Sequence, residues 1–300
     1  VRRGVVLFIT LGILLLLSTI VFLFLRQSGA LKKSVRQNIA VVQTNLILSD
    51  MSAFLKSQNF TQDDIFYGAG IPVALELGPV SGNLALDSAN RRINLNRYLA
   101  AVTKEQAALD GFLAWMVFRH IRHPRFLLAL LLDTLDPDLY ERESGSEIRL
   151  RYPRFQNGAI PNSRAMAMIW QTYRTYTGDK GMPPAQWEEI FGYDGETFDL
   201  NYATADQLML LFPDFPPDVV TRLAAHNNRY EEGQDLPIPE EYKEGILNPR
   251  FGITPTLATS AVEVAIDFNT TQECSGTMGF RMDLKKKRIT RLRLSEILCP

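Results

Sequence analysis

The sequence predicts an α+β protein: a long N-terminal helix, apolar and then amphipathic, an antiparallel sheet, and a large all-α insertion between early and late strands. Three observations carry this reading. The chain opens VRRGVVLFITLGILLLLSTIVFLFLR, with no charged residue from Val5 to Leu25. Alternation with a period of two appears at IPVALEL and GNLALDSANRRINLN, stops, and returns at SAVEVAIDFN and MGFRMDLKKKRITRLRLSEIL. Between those blocks, from Arg97 to Asn248, runs a series of short helical segments, most opened by Ser, Thr, Asp or Pro.

Taken in order, the run 5–25 has the length of a membrane-crossing helix. At about 1.5 Å per residue it spans roughly 30 Å, the thickness of a hydrocarbon core. No A-x-A-like cleavage site follows it, so it reads as a retained single-pass anchor rather than a secretory signal. Arg2 and Arg3 precede the run, and Arg26, Lys32, Lys33 and Arg36 follow it, so charge counting leaves its orientation open. Beyond Arg26 the helix continues to about Lys56. Leu31, Val35, Ile39, Val42 and Leu46 recur at spacings of three and four, an apolar stripe for its own sheet or for partner helices.

Strands then occupy the rest of 26–96. GNLALDSANRRINLN reads as a hairpin turning near Ser88-Ala89-Asn90, with Leu84, Leu86, Ile93 and Leu95 in phase. The helical insertion covers 97–248, and EEGQDLPIPEEYKEG reads as a linker from it to the final strands in 249–300. The length of 300 residues allows each part a real core, and a net charge of −1 gives no global field toward nucleic acid or an anionic surface.

Enzyme signatures are absent: no GxSxG, Walker loop or GxGxxG occurs. His120 and His123 stand three apart but lack the HExxH pattern or a matching ligand pair, so the chain reads as a non-enzyme. The acidic stretch LLLDTLDPDLYERESGSE gathers Asp133, Asp136, Asp138, Glu141, Glu143 and Glu147. Calcium takes several oxygen ligands on a flexible loop, and Asp133, Asp136, Asp138 and Glu143 are the candidate set, although the spacing is not that of an EF-hand. A solvated acidic turn, with Asp133 or Asp136 capping a helix, is the other reading. Cys274 and Cys299 fit no metal or redox pattern; in an oxidising compartment they would close the C-terminal segment as a disulfide, and otherwise they are two half-buried thiols.

FDLNYATADQLMLLFPDFPPDVVTRLAAHNN has the form of a helix-hairpin-helix unit. DNA-binding units of that form bring bare Gly-x-Gly amides to a phosphate. Here the turn is Pro213-Asp214-Phe215-Pro216-Pro217, which withholds two amides and adds a repelling carboxylate, so a packing or protein-contact role is expected and no nucleic acid.

Several stretches together resemble the minor pseudopilins of type II secretion systems, the general secretion pathway protein K family. RRGVVLFI is similar to a prepilin cleavage site, with Gly4 as the last leader residue and Val5 as the new N-terminus. NRRINLNRYL resembles the family's short strand with an INLN segment. LLLDTLDPDLYERESGSE is similar to its D-W-x-D-x-D segment, with Thr134 in place of the tryptophan. YPRFQNGAIPNSRAMAMIW and FDLNYATADQLMLLF resemble its Tyr-x-x-x-Asn stretch and its L-N-x-A-T-A-E-x-L helix entry.

The resemblance implies removal of the leader 1–4 and methylation of Val5 by prepilin peptidase. It implies an inner-membrane anchor with the body in the periplasm, and a pilin-like sheet carrying the helical insertion. It implies a structural place at the tip of a pseudopilus, initiating and capping its assembly for export of folded proteins. The partners implied are two other minor pseudopilins, the major pseudopilin and the inner-membrane secretion platform. Calcium binding is known in the family, but the acidic segment departs from the family pattern, so ligands are not carried over one by one. Most pilin-like subunits carry Glu at the fifth mature position, where this chain has Ile9; a subunit with none ahead of it needs no carboxylate there. A minor pilin of a type IV pilus or DNA-uptake system would share the anchor and sheet, and a membrane-anchored DNA-binding hairpin protein is the more distant alternative.

Overall fold

The computed structural model describes residues 41–77, 80–225, 229–231, 236–243, 245–270 and 274–294, with the pairs 18–19, 21–22, 26–27, 34–35 and 38–39 before them. Gly4, Val5, Ile9, Leu31, Cys299 and nearly all of the apolar run 5–25 lie outside them. No helix among the described residues is long and apolar enough to cross a membrane.

The elements run α1 (41–57), α2 (Gln62–Gly68), β1 (Val73–Leu77), β2 (Val80–Ser88), β3 (Ile93–Asn94), α3 (Leu95–Val102), α4 (Gln106–Phe118) and α5 (Pro124–Leu135). There follow α6 (Ile148–Arg151), α7 (Ser163–Thr177), α8 (Pro184–Ile190), β4 (Phe191–Gly192), β5 (Thr197–Asp199) and a 3-10 turn at Leu200–Tyr202. The chain then forms α9 (Ala205–Leu211), α10 (Pro217–Ala224), α11 (Glu240–Lys243), β6 (Thr254–Thr256), β7 (Ala261–Thr270), β8 (Ser275–Asp283) and β9 (Arg288–Leu294). They form two compact units, one of 1–61, 68–87 and 263–300, the other of 62–67 and 88–262, where the sequence draws the helical insertion at 97–248.

The first unit holds a five-stranded sheet in the order β1-β2-β7-β8-β9. The β1/β2 and β8/β9 pairs are antiparallel. Val264, Ile266 and Phe268 on β7 and Met278, Phe280 and Met282 on β8 are buried at every second position, as the alternation requires. Gly82 on β2 is there because a Cβ would sit 1.9 Å from the Asp267 carbonyl oxygen. On β9 the predicted residues Ile289, Leu292 and Leu294 are spaced three and then two apart. The structure explains the slip: the register shifts between Gly279 and Arg281, and Arg291 takes φ 56°, so a bulge resets the phase.

Helix α1 buries Thr44, Ile47, Met51 and Leu55, which fall on one face. Val35, Ile39, Val42 and Leu46, the stripe expected to lie partly on the protein's own sheet, are exposed instead. At 100° per residue Ile47 and Leu46 point to different sides, and only one stripe can face inward. Lys287, in the β8–β9 turn, donates to the Lys56 and Gln58 carbonyls at 2.8 and 2.6 Å and to Asn59 Oδ1 at 3.1 Å, closing the C-terminal end of α1.

The expected hairpin at Ser88-Ala89-Asn90 does not form. β2 pairs with β1 and neighbours β7, while Ile93-Asn94 forms β3, parallel to β4 in the second unit. Leu95 is the first residue of a helix rather than a strand residue, because the Asn94 side chain accepts the Arg97 N–H as its N-cap.

The second unit is built on a large aromatic core. Trp187 packs on Phe191 with ring centroids 4.6 Å apart and edge-on to Trp170 at 5.5 Å, and Phe112, Trp115 and Tyr98 extend the cluster. Helix boundaries follow local chemistry. Asn162 caps α7, which ends at Gly178 with φ 68°, and α9 opens on a Thr204–Gln207 capping box. The segment expected to be a linker is part of this core: its Leu236 and Ile238 are buried there, Tyr230 and Ile246 on either side of it are buried too, and α11 interrupts it. Its prolines and charges disguise an apolar residue at Leu236 and again at Ile238, whose side chains are what the core uses.

Candidate functional site

Helix α5 ends at Asp136 and delivers two carboxylates to one loop. Asp133 is fully buried, where an unpaired carboxylate would be costly. Arg142 compensates it. Its backbone N–H donates to Asp133 Oδ2 at 3.1 Å and its Nη1 to Oδ1 at 2.5 Å, and the same Nη1 pairs with Asp136. Ser146 Oγ also donates to Asp133, and accepts the Glu143 N–H at 3.0 Å. Burial alone would ease the proton off Arg142, but the hydrogen bonds and charges of Asp133 and Asp136 outweigh it and hold the guanidinium above its ordinary range. Gly145, at φ 87°, lays the loop on the Tyr176 ring, where a Cβ would come within 2.2 Å.

Of the four candidate calcium ligands, the fold brings Asp133 and Asp136 together and leaves Asp138 and Glu143 exposed. Asp138 accepts the Tyr140 N–H at 2.9 Å. No group of three or more His, Cys, Asp or Glu among the described residues is gathered to hold a metal. As arranged, these residues do not fit a calcium centre, because a guanidinium already stands between the two converging carboxylates. In the sequence Arg142 reads as one more charge in a mixed run.

The hairpin unit is present as α9 and α10 and is packed from both sides. Leu208, Leu210, Leu211, Val219, Val220 and Leu223 are all buried. Its turn is held by Arg250, which pairs with Asp214 at 2.5 Å and lies 5.0 Å over the Phe212 ring. The Arg250 hydrogen bond draws the Asp214 carboxyl below its usual range. Gln207 Nε2 contacts the Arg91, Glu189 and Ile190 carbonyls at 2.9 to 3.2 Å. Asn201 is a second buried hub, accepting the Tyr230 N–H at 2.5 Å and donating toward Asp199 and the Leu257 carbonyl. Asp199 lies beside it. Burial pushes its carboxyl up, against hydrogen bonds from Asn201 and Thr259. This is the chemistry of a packing element, with its turn charge already consumed by the chain itself.

Cys274 is buried and disulfide-bonded, and Cys299, the other cysteine of the sequence, lies outside the described residues, as do the processing residues Gly4 and Val5. His123 begins α5 as its N-cap residue, and His120 takes a left-handed φ of 62° after α4, so both serve helix ends.

Neither a protein-family model nor a curated protein matches the chain. A solved structure does: a chain of the GspK-GspI-GspJ complex from the enterotoxigenic Escherichia coli type 2 secretion system. It has a TM-score of 0.56 at 15% sequence identity, over 90% of this chain and 99% of that chain. The likeness is therefore one of fold, and it runs nearly end to end. The complex comes from the kind of secretion system whose minor pseudopilins this sequence resembles, and the two lines of comparison converge on a pseudopilin-like α+β fold with a large helical unit set between strands of its sheet.

Proposed function

We propose that this chain is a minor pseudopilin, a structural tip subunit of a type II secretion pseudopilus. It initiates and caps assembly of the filament that exports folded proteins from the periplasm. The observation that carries the reading is the extent of the fold likeness, which takes in the helical unit as well as the sheet. A helical unit with its own aromatic core, inserted between strands, is bulk that a filament interior has no room for, so such a subunit belongs at an end. The apolar run 5–25 anchors it in the inner membrane, after removal of 1–4 and methylation of Val5 by prepilin peptidase. The exposed stripe Val35, Ile39, Val42 and Leu46 then faces the helices of two other minor pseudopilins, in a complex of the kind formed by GspK, GspI and GspJ. The role is structural and needs no catalytic group.

Deletion of the gene tests this reading against that of a type IV pilus or DNA-uptake subunit. Release of exoproteins stops while twitching and transformation persist. Loss of twitching or transformation with secretion intact would overturn it.

A further inference from the structure

An open groove of about 630 Å³ lies in the second unit between α6, the following loop and the first turn of α7. Three arginines, Arg151, Arg154 and Arg164, line it around an apolar surface that includes Tyr152, Phe155 and Met168. Among the described residues none of the three guanidiniums has a carboxylate partner; Arg151 rests over the Tyr176 ring at 5.1 Å. Several arginines of this unit do find acids, Arg97 with Glu196, Arg119 with Asp206, Arg142 with Asp133 and Asp136, and Arg250 with Asp214, while Arg125, Arg149 and Arg174 stand apart on the surface. What sets Arg151, Arg154 and Arg164 apart is that all three line one groove, with no acidic residue in its lining.

The groove wall is fixed rather than loose. The Asn96 side chain accepts the Ile160 N–H at 2.8 Å and donates to the Ile160 carbonyl at 3.0 Å, closing a two-bond clamp on the loop. Asn157 donates to the buried Glu147 carboxylate at 2.9 Å and to the Asp138 carbonyl at 3.0 Å. Asn162 accepts the Ala165 N–H at 3.0 Å, and Ile160 is fully buried. A preformed wall spares a ligand the cost of ordering it.

We propose that this groove binds an acidic segment of a partner protein, with carboxylates on the arginines and an apolar or aromatic side chain between them. Guanidinium forks match carboxylates in two-bond geometry, and the volume lies within the range of roughly 300–1,000 Å³ of sites that enclose a small ligand. A nucleic acid asks for something else, a basic surface that continues along its backbone. Here the charge is confined to one apolar-floored groove. The inference stands on the groove alone and is independent of the pseudopilin reading.

The test is fluorescence anisotropy on the full chain in detergent micelles, using a short labelled peptide of alternating glutamate and phenylalanine and a labelled single-stranded oligonucleotide. The peptide is expected to bind saturably, to weaken with added salt, and to lose at least about tenfold in affinity in R154E/R164E, the equivalent of about 1.4 kcal/mol. The variant's melting temperature should match the parent's, since both side chains are exposed; if it falls, R154Q/R164Q gives the same comparison without charge reversal. No peptide binding, equal binding by the folded variant, or binding of the oligonucleotide in preference to the peptide would overturn the proposal.

Discussion

The helical unit closes on itself, and the sheet unit does not. In the helical unit Trp170, Trp187, Phe191, Phe198 and Phe212 are wholly buried, and polar hubs at Asn201 and Gln207 satisfy the carbonyls between them. In the sheet unit one face of α1 is buried through Ile47, Met51 and Leu55, while Val35, Ile39, Val42 and Leu46 stay in solvent, as do Leu292 and Leu294 on the edge strand β9. Every Trp and Tyr of the sequence falls in the helical unit, while the buried residues of the sheet unit are mainly aliphatic side chains, Met and Phe, so the two units differ in what fills their cores as well as in what is left over. The helical unit closes an aromatic core and leaves scattered side chains such as Val117, Phe118 and Leu150 exposed, whereas the sheet unit leaves exposed residues aligned along one helix. Exposed apolar residues that recur on one helix face are what a partner helix reads, whereas scattered ones mean little.

Substitutions separate the two kinds of residue. The largest effect is expected for Trp187→Ala. It empties the centre of the aromatic cluster and should cost about 4 kcal/mol, read as a lower midpoint in urea with an unchanged slope. Met51→Ala removes a flexible side chain from the thinner core of the sheet unit and should cost about 2 kcal/mol in the same measurement. A similar loss at both sites would mean that the sheet unit is packed as fully as the helical one.

A pH series addresses the polar hubs. Burial raises the Asp199 carboxyl, so its contribution to stability is fully present below the ordinary carboxylate range and is lost as pH rises through its folded value. Asp199→Asn should therefore flatten the fall in stability on the alkaline side of that range. An unchanged slope would show that Asp199 is not the group responsible. The smallest effect on stability belongs to Val42→Glu with Leu46→Glu, expected to stay within about 0.5 kcal/mol because both side chains already face solvent.

The contrast also sorts what could be read in advance. Strands β7 and β8 were legible because burial on a sheet face imposes a period of two, whereas β9 is largely exposed and shows only the three-then-two spacing of Ile289, Leu292 and Leu294 across its bulge. Helix starts were legible where a cap is local, at Thr204 and, one residue late, at Ser163, which follows the Asn162 cap. Contacts closed over long distances were not. Gln207 meets the Arg91 carbonyl 116 positions away, and Asn96 meets Ile160 across 64. The false hairpin at Ser88-Ala89-Asn90 has the same cause: local alternation continued through a point where the chain leaves one unit for the other. In the acidic segment the carboxylates were visible as a cluster. The guanidinium that organises them was not, because one-dimensional charge counting cannot say which residue stands between two others.

The central claim is that the unspent stripe on α1 belongs to other subunits. It is tested most directly by co-expressing the full chain with two minor pseudopilins from the same organism and measuring the mass of the complex extracted in detergent. The account predicts a ternary complex for the parent and its loss in V42E/L46E, with the melting temperature of the variant's isolated chain unchanged. A ternary complex that survives the double substitution, or none with the parent, would contradict it.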